Sequence, residues 1–166
     1  MTDDLLAFIE IPAGSRNKYE YDPQIGHVVL DRTLWTSVVY PADYGFLIDT
    51  LGRDGDPVDA LVLVAEPTFP GVVIPVEPIG VFEMTDEKGE DDKVLCVPFK
   101  DPEWSHLHDI SDVRASLLDE IGHFFDIYKD LEHGADTVVG GWHGRAYADE
   151  VIAEARAAYA SASPSG

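Results

Sequence analysis

The chain has 166 residues, the size of one core, and 45% of them are hydrophobic, enough to fill it. Acids outnumber bases 32 to 11, for a formal net charge of -21. Such a polyanion is repelled by nucleic acid and by anionic membrane surfaces, so neither is expected as a partner. The single cysteine, Cys96, excludes an intrachain disulfide and suits a reducing, cytoplasmic setting. The longest apolar run, Ala60 to Ala65, is far too short to cross a bilayer, and the acidic start Met1-Thr2-Asp3-Asp4 is unlike a signal peptide.

Taken in order, roughly the first hundred residues are short strand-like runs punctuated by turns. Phe8 to Ile11 and Lys18 to Tyr21 alternate, the first stopping at Pro12 and the second at Asp22-Pro23. Val28 to Leu30, Asp59 to Val64, Val72 to Val76, Ile79 to Met84 and Val94 to Val97 are further predicted strands. Pro67, Pro70, Pro75 and Pro78 predict edges, bulges and breaks in the middle of the chain. After Asp109 the period changes. Ser111 or Asp112 is the expected cap of a helix carrying Leu117, Leu118, Ile121, Phe125 and Tyr128 on one face. A second, alanine-rich helix is predicted from about Arg145 to Tyr159, with Val151, Ile152 and Ala155 inward. The expected organisation is one domain over residues 1–160 and a disordered tail over 161–166. Strands followed by helices predict an α+β fold with a small closed or nearly closed antiparallel barrel.

Two acidic clusters sit at turns: Asp54-Gly55-Asp56-Pro57-Val58-Asp59, and Asp86-Glu87 with Glu90-Asp91-Asp92. Crowded carboxylates repel one another unless cations neutralise them, and their hard oxygens suit Mg²⁺, Mn²⁺ or Ca²⁺. One cluster alone is better read as a solvated acidic loop. In the first, however, Pro57 stiffens the loop and Gly55 lets it turn, so its aspartates are held. It is not an EF-hand, because Asp59 stands where that loop needs glycine and Ala65 where it needs glutamate. The scarce bases lie beside acids or tyrosines. Lys18 and Glu20 share a strand face, which Arg16 joins if the strand begins early; Arg32, Lys93 and Lys129 are similarly placed. Bases and metal-binding acids together predict an anion held by both, and phosphate is the obvious one. No Walker A or GxGxxG motif is present. Cys96 reads as core, and His106 and His108 as loop histidines without further metal partners.

The ordered set Ile9-Glu10-Ile11-Pro12, Lys18-Tyr19-Glu20, Asp31-Arg32, Tyr40-Pro41-Ala42-Asp43-Tyr44-Gly45, Asp54 to Asp59, Asp86-Glu87 with Gly89 to Lys93, and His123 to Asp130 resembles soluble family I inorganic pyrophosphatases of the prokaryotic type. The match runs nearly to Trp142, and the Asp-Gly-Asp-Pro-Val-Asp segment is its most specific part. The resemblance implies a five-stranded OB-like barrel with two helices that hydrolyses pyrophosphate to two phosphates with several Mg²⁺ per subunit. Mn²⁺ is then a possible substitute and Ca²⁺ an expected inhibitor. It implies Asp54, Asp59, Asp86 and Asp91 as metal ligands, with Glu10, Glu20 and Asp56 in the site, partly through water. It assigns the phosphates to Lys18, Arg32, Tyr44, Lys93, Tyr128 and Lys129, with Tyr40 close by. It further implies a homo-oligomer, commonly a hexamer, with the first helix in a subunit contact. Ile127 stands where some relatives carry a second interface histidine, and Arg16 where some carry a less basic residue. On this reading Asp56 accepts or orients the proton of an attacking water, Asp54, Asp59 and Asp91 fix the metals, and Arg32, Lys129 and Tyr128 stabilise the leaving phosphate. An OB-like binding module would need a basic groove that this chain lacks. A purely structural Ca²⁺-binding protein would leave Lys18, Arg32, Lys93 and Lys129 unexplained.

Overall fold

The computed structural model of the chain describes residues 4–163. Nine strands and two helices follow in order: β1 (Leu5–Ile11), β2 (Asn17–Asp22), β3 (His27–Thr33), β4 (Asp43–Leu47), β5 (Asp59–Val62), β6 (Val73–Asp86), β7 (Gly89–Glu90), β8 (Lys93–Pro98), α1 (Ala115–Ile127), β9 (Val138–Gly144) and α2 (Arg145–Ala162). Five strands close on themselves in the order β1-β4-β5-β8-β6, with β6 returning to pair with β1. The result is the expected α+β, OB-like architecture. Four of its seams are antiparallel, while β5 and β8 run parallel. β7 and β9 extend the sheet from β6, and β2 and β3 form a separate hairpin.

The apolar runs of β5 and β8 are explained by burial on both faces. Leu61 and Leu63 join Leu95 and Val97 in one core, sealed by Ile121, Phe124 and Phe125 of α1. Ala60, Val62, Val94 and Cys96 enter the other, covered by Ala148, Ile152 and Ala155 of α2. Successive residues therefore serve opposite cores. Each large apolar side chain so buried contributes about 1.5–3 kcal/mol.

Several elements differ from the sequence reading. The expected runs at Val72 to Val76 and Ile79 to Met84 are one strand, β6, which continues through Pro75 and Pro78 because its register slips between Pro78 and Gly80. β4 and the glycine-rich β9 were not predicted. α1 starts at Ala115, later than a cap at Ser111 or Asp112 would place it. The caps are spent on a 3₁₀ turn, Ile110–Asp112, where Asp109 accepts from the Ile110 N–H and Asp112 accepts from the Asp109 N–H. Ser161 and Ala162 belong to α2 and Ser163 caps it, its N–H donating to the Tyr159 carbonyl; residues 164–166 of the expected tail lie outside the described residues. Among the described residues no helix is long and apolar enough to cross a membrane.

Candidate active site

The site is built at one end of the barrel from strand ends, one bulge and two turns. Glu10 occupies the slip in register between Ile9 and Ile11, opposite Gly45 and Tyr44. A bulge of this kind breaks the in-and-out alternation, and Ile9, Glu10 and Ile11 are all buried. Glu10 accepts a hydrogen bond from the Tyr21 N–H at 2.7 Å, which ties β1 to the β2–β3 hairpin. Burial pushes its carboxyl up to about 7 despite that bond, and the Asp59 charge adds to the rise.

The parallel seam makes the second feature. Asp59 of β5 and Lys93 of β8 are register partners. The Lys93 ammonium, only 1% exposed, donates to Asp59 Oδ2 at 3.0 Å and to the Tyr44 hydroxyl at 2.9 Å, and lies 3.0 Å from Asp91 Oδ2. It also sits 5.2 Å from the ring centroids of Tyr44 and Phe125. Burial opposes the charge on Lys93, yet Asp59 and Asp91 raise its pKa far above the usual lysine range, so it stays an ammonium. Burial, against the pull of Lys93 and with the help of Asp59, pushes the Asp91 carboxyl up to about 7. Burial acts in the same sense on Asp59, but Lys93, Asp91 and Tyr44 hold its carboxyl below the usual carboxylate range.

The remaining acids border this centre. Asp54 and Asp56 are exposed on the loop before β5, where the Asp54 carboxylate accepts from the Asp56 N–H at 3.1 Å and Gly55 turns the chain at φ +90°. Asp86 closes the β6–β7 turn by accepting from the Lys88 N–H at 2.8 Å. A cavity of about 200 Å³ opens beside Asp54, Asp59 and Asp91 on the side of α2, but none of the predicted phosphate-binding bases lines it.

Lys18, Arg32 and Lys129, predicted to hold phosphate, lie instead on the β2–β3 hairpin and in the turn after α1. Lys18 and Arg32 are partners across the hairpin. Lys18 lies 3.5 Å from Asp31 and 3.9 Å from Glu20, whose side chain is mostly exposed. Arg32 pairs with Asp31 and, at 2.7 Å, with Glu132. Burial lowers the basicity of Arg32, and these two carboxylates more than restore it. Tyr128 is buried at the end of α1, and burial raises its hydroxyl far above the usual tyrosine range, so it remains a donor. Lys129 stands 5.4 Å from the Tyr128 ring centroid. Tyr40 stacks between Tyr44 and Phe124, with ring centroids 5.4 and 4.7 Å away.

The structure thus brings together Asp59, Asp91, Lys93 and Tyr44 in direct contact, with Glu10 beside them. It keeps Asp54, Asp56, Asp86 and Glu20 at the rim. Among the described residues no three acidic, histidine or cysteine side chains converge closely enough to hold an ion by themselves. Yet the donor set fits a hard divalent cation that keeps part of its water shell. All the donors are carboxylate oxygens, two of them already flank a positive charge, and burial raises the Glu10 and Asp91 carboxyls to about 7, a cost that a bound cation would offset. His106 and His108 are exposed and stand in the turn before the 3₁₀ segment, where the His108 backbone N–H donates to Asp112. Arg16 is exposed and donates through Nε to the Leu34 and Thr36 carbonyls, fastening the hairpin rather than extending the Lys18 face.

Sequence reasoning missed two residues of this region. Asp43 is fully buried and accepts from the Ala13 N–H at 2.8 Å and from Thr68, which joins three segments around the barrel end. Glu132, against Arg32, is the other; its only sequence signal is its position one turn after Lys129.

A family model described as inorganic pyrophosphatase matches residues 7–160. The chain is 54% identical over 151 residues to an inorganic pyrophosphatase of Methanosarcina mazei, covering 91% of this chain and 89% of that one. It is 56% identical over 144 residues to one of Streptomyces coelicolor, covering 87% and 88%. The crystal structure of the Thermus thermophilus inorganic pyrophosphatase superposes with a TM-score of 0.93 at 45% identity, covering 96% of this chain and 93% of that one.

Proposed function

This chain belongs to the inorganic pyrophosphatase family and is an inorganic diphosphatase, and from that premise we propose how it cleaves pyrophosphate: by direct attack of water in a Mg²⁺-dependent reaction at the carboxylate centre. The observation that carries the reading is the meeting of Asp59, Asp91 and Lys93 at 3.0 Å, beside a rim of acids and a separate rim of bases. Asp54, Asp59, Asp86 and Asp91, with Glu10 and Glu20 partly through water, would hold the cations. Bound divalent cations supply counter-charge for the diphosphate and lower the pKa of coordinated water toward neutrality.

The chain's own groups then divide the work. Asp56, whose carboxylate is exposed while its backbone builds the loop, accepts or orients the proton of the attacking water. A general base of this kind supplies about 10²–10⁴-fold. The rest comes from fixed charges aimed at the phosphates. Lys18, Arg32 and Lys129 face the anion from the hairpin and the turn after α1, and Tyr128 donates its hydroxyl to the leaving phosphate. Lys93 and Tyr44 hold the floor, keeping Asp59 and Asp91 together, and Tyr40 packs behind Tyr44. No side-chain nucleophile is assigned, because Cys96 is wholly buried in the barrel wall.

The same proposal takes Mg²⁺ as the working ion with Mn²⁺ as a substitute, a homohexamer as the assembly and the cytoplasm as the setting. Orthophosphate release from pyrophosphate is the test, run with each ion in turn and paired with a measurement of mass in solution. Mg²⁺ should support turnover, Mn²⁺ some of it, and Ca²⁺ should compete with Mg²⁺ and inhibit, since it is larger and tolerates irregular coordination. Full activity with Ca²⁺ alone would overturn the assignment.

A further inference from the structure

We propose that Glu132 is a positioning residue for the phosphate grip: it braces the Arg32 guanidinium from the Nε edge and couples it to Lys129 in the same turn. The inference rests on the proposed pyrophosphate site and adds a residue to it.

Three contacts clasp the segment around β3 to the turn that follows α1. Arg32 Nε lies 2.7 Å from Glu132 Oε1, the Thr36 hydroxyl donates to the Tyr128 carbonyl at 3.2 Å, and the Trp35 and His133 rings meet edge to face at 5.9 Å. The turn is itself fixed, because the Glu132 N–H donates to the Lys129 carbonyl at 2.9 Å and the Asp130 N–H to that of Ile127 at 3.0 Å. Glu132 and Lys129 therefore move as one unit.

Arg32 is engaged on two sides, by Asp31 at Nη1 and by Glu132 near Nε. Its Nη2 remains as the edge that an anion can take. A guanidinium held along one edge loses less freedom when it binds phosphate along another, which is the advantage of a preorganised fork. Asp31 is shared with Lys18 at 3.5 Å, so the hairpin's bases are fixed on that side as well.

The Arg32–Glu132 contact is unfinished. Arg32 Nε and Glu132 Oε2 are both buried, and neither has a hydrogen-bond partner among the described residues. The pair is close enough to attract, but the Nε–H is not aimed along the short axis. Buried polar atoms without partners are rare and costly. A modest turn of the guanidinium would aim the Nε–H at the Glu132 carboxylate and complete the charge-assisted bond, leaving Nη2 to the anion. Phosphate drawn to Nη2 supplies that turn, so anion binding and completion of the brace reinforce each other.

The test measures orthophosphate affinity by calorimetry in Mg²⁺ buffer, together with pyrophosphate kinetics. Glu132→Gln keeps the shape and removes the charge; it should weaken orthophosphate binding and raise KM by about tenfold each, the size of one lost charge-assisted contact. kcat should stay within about threefold, the mark of lost uniform binding. Arg32→Gln should weaken binding at least as much, and adding Glu132→Gln to it should change nothing further, because the brace acts only through Arg32. The melting midpoint of Glu132→Gln should match that of the wild type. Native phosphate affinity in Glu132→Gln, multiplying losses in the double variant, or a loss that appears only with a lowered midpoint would each overturn the brace. Wild-type protein that bound orthophosphate in this pattern without cleaving pyrophosphate would overturn the proposed reaction and leave the brace standing.

Discussion

Asp59 and Lys93 face each other across the only parallel seam of the barrel, and their side chains close the same pairing at 3.0 Å. Backbone register and side-chain chemistry thus coincide at one point. The lysine that neutralises the carboxylates is delivered by the strand that pairs with one of them, two residues after the other, Asp91.

Lys93→Met should therefore cost more than a phosphate contact. It leaves Asp59 and Asp91 buried together without their counter-charge, a loss of about 3 kcal/mol by the usual cost of breaking a buried ion pair. Urea denaturation should show that loss without cations, and Mg²⁺ should recover part of it. Phosphate release should fall by at least about 10²-fold. A variant with unchanged stability and turnover would show that the lysine is not the counter-charge.

Asp56→Asn should leave the denaturation midpoint in place, because the side chain is exposed and only the backbone of Asp56 builds the loop. Turnover should fall by roughly 10³-fold, within the range expected of a lost general base. Near-normal turnover would remove Asp56 from the central role.

The metal-free protein should grow less stable as pH rises from about 4 to about 7. Glu10 and Asp91 titrate at about 7 in the folded chain and near their ordinary values, 4.5 and 3.8, when unfolded. Across that window the folded state holds protons that the unfolded state has released, so raising pH favours unfolding by up to about 1.4 kcal/mol per pH unit for each group. Asp59 has the opposite sign, but its contribution is complete once pH exceeds its ordinary value of 3.8. A divalent cation should flatten the dependence by stabilising both anions. Thermal melts across this range, with and without Mg²⁺, read the effect; a metal-free midpoint that rises toward pH 7 would contradict it.

Gly45→Ala should damage fold and site together. A Cβ at Gly45 would stand 1.8 Å from the Phe8 carbonyl oxygen on the partner strand, and backbone cannot yield to it cheaply. Gly45 faces the bulge that turns Glu10 inward. The expected loss exceeds about 3 kcal/mol. Turnover should fall even below the melting transition, because Glu10 is displaced; a native midpoint would show that the seam has room.

Much of this site was legible from residue types. The Asp54 to Asp59 loop, the Asp86 to Lys93 turn and the strand face shared by Lys18 and Glu20 lie within short stretches where spacing carries the geometry. Lys93 shows the limit. Its sequence context suggests a surface base addressing phosphate, whereas the structure buries it against Asp59, Asp91 and Tyr44, because a parallel pairing joins strands more than thirty residues apart. β9 was hidden by Gly140, Gly141 and Gly144, which read as turn residues, yet Gly140 lets the strand pass close to Glu83 and Gly144 lets Asp109 approach the start of α2. β4 escaped notice because its buried Asp43 looks like a turn residue until Ala13 and Thr68 are seen to satisfy it. Glu132 had no signal beyond its place one turn after Lys129, since its partner lies a hundred positions earlier.

The most direct measurement is a crystal structure of the chain with Mg²⁺ and a non-hydrolysable diphosphate analogue. Cations should lie about 2.0–2.1 Å from carboxylate oxygens of Asp59 and Asp91, the octahedral Mg²⁺ distance, with the analogue spanning from them to Lys18, Arg32 and Lys129. An analogue bound elsewhere, or cations that leave those aspartates untouched, would contradict this arrangement.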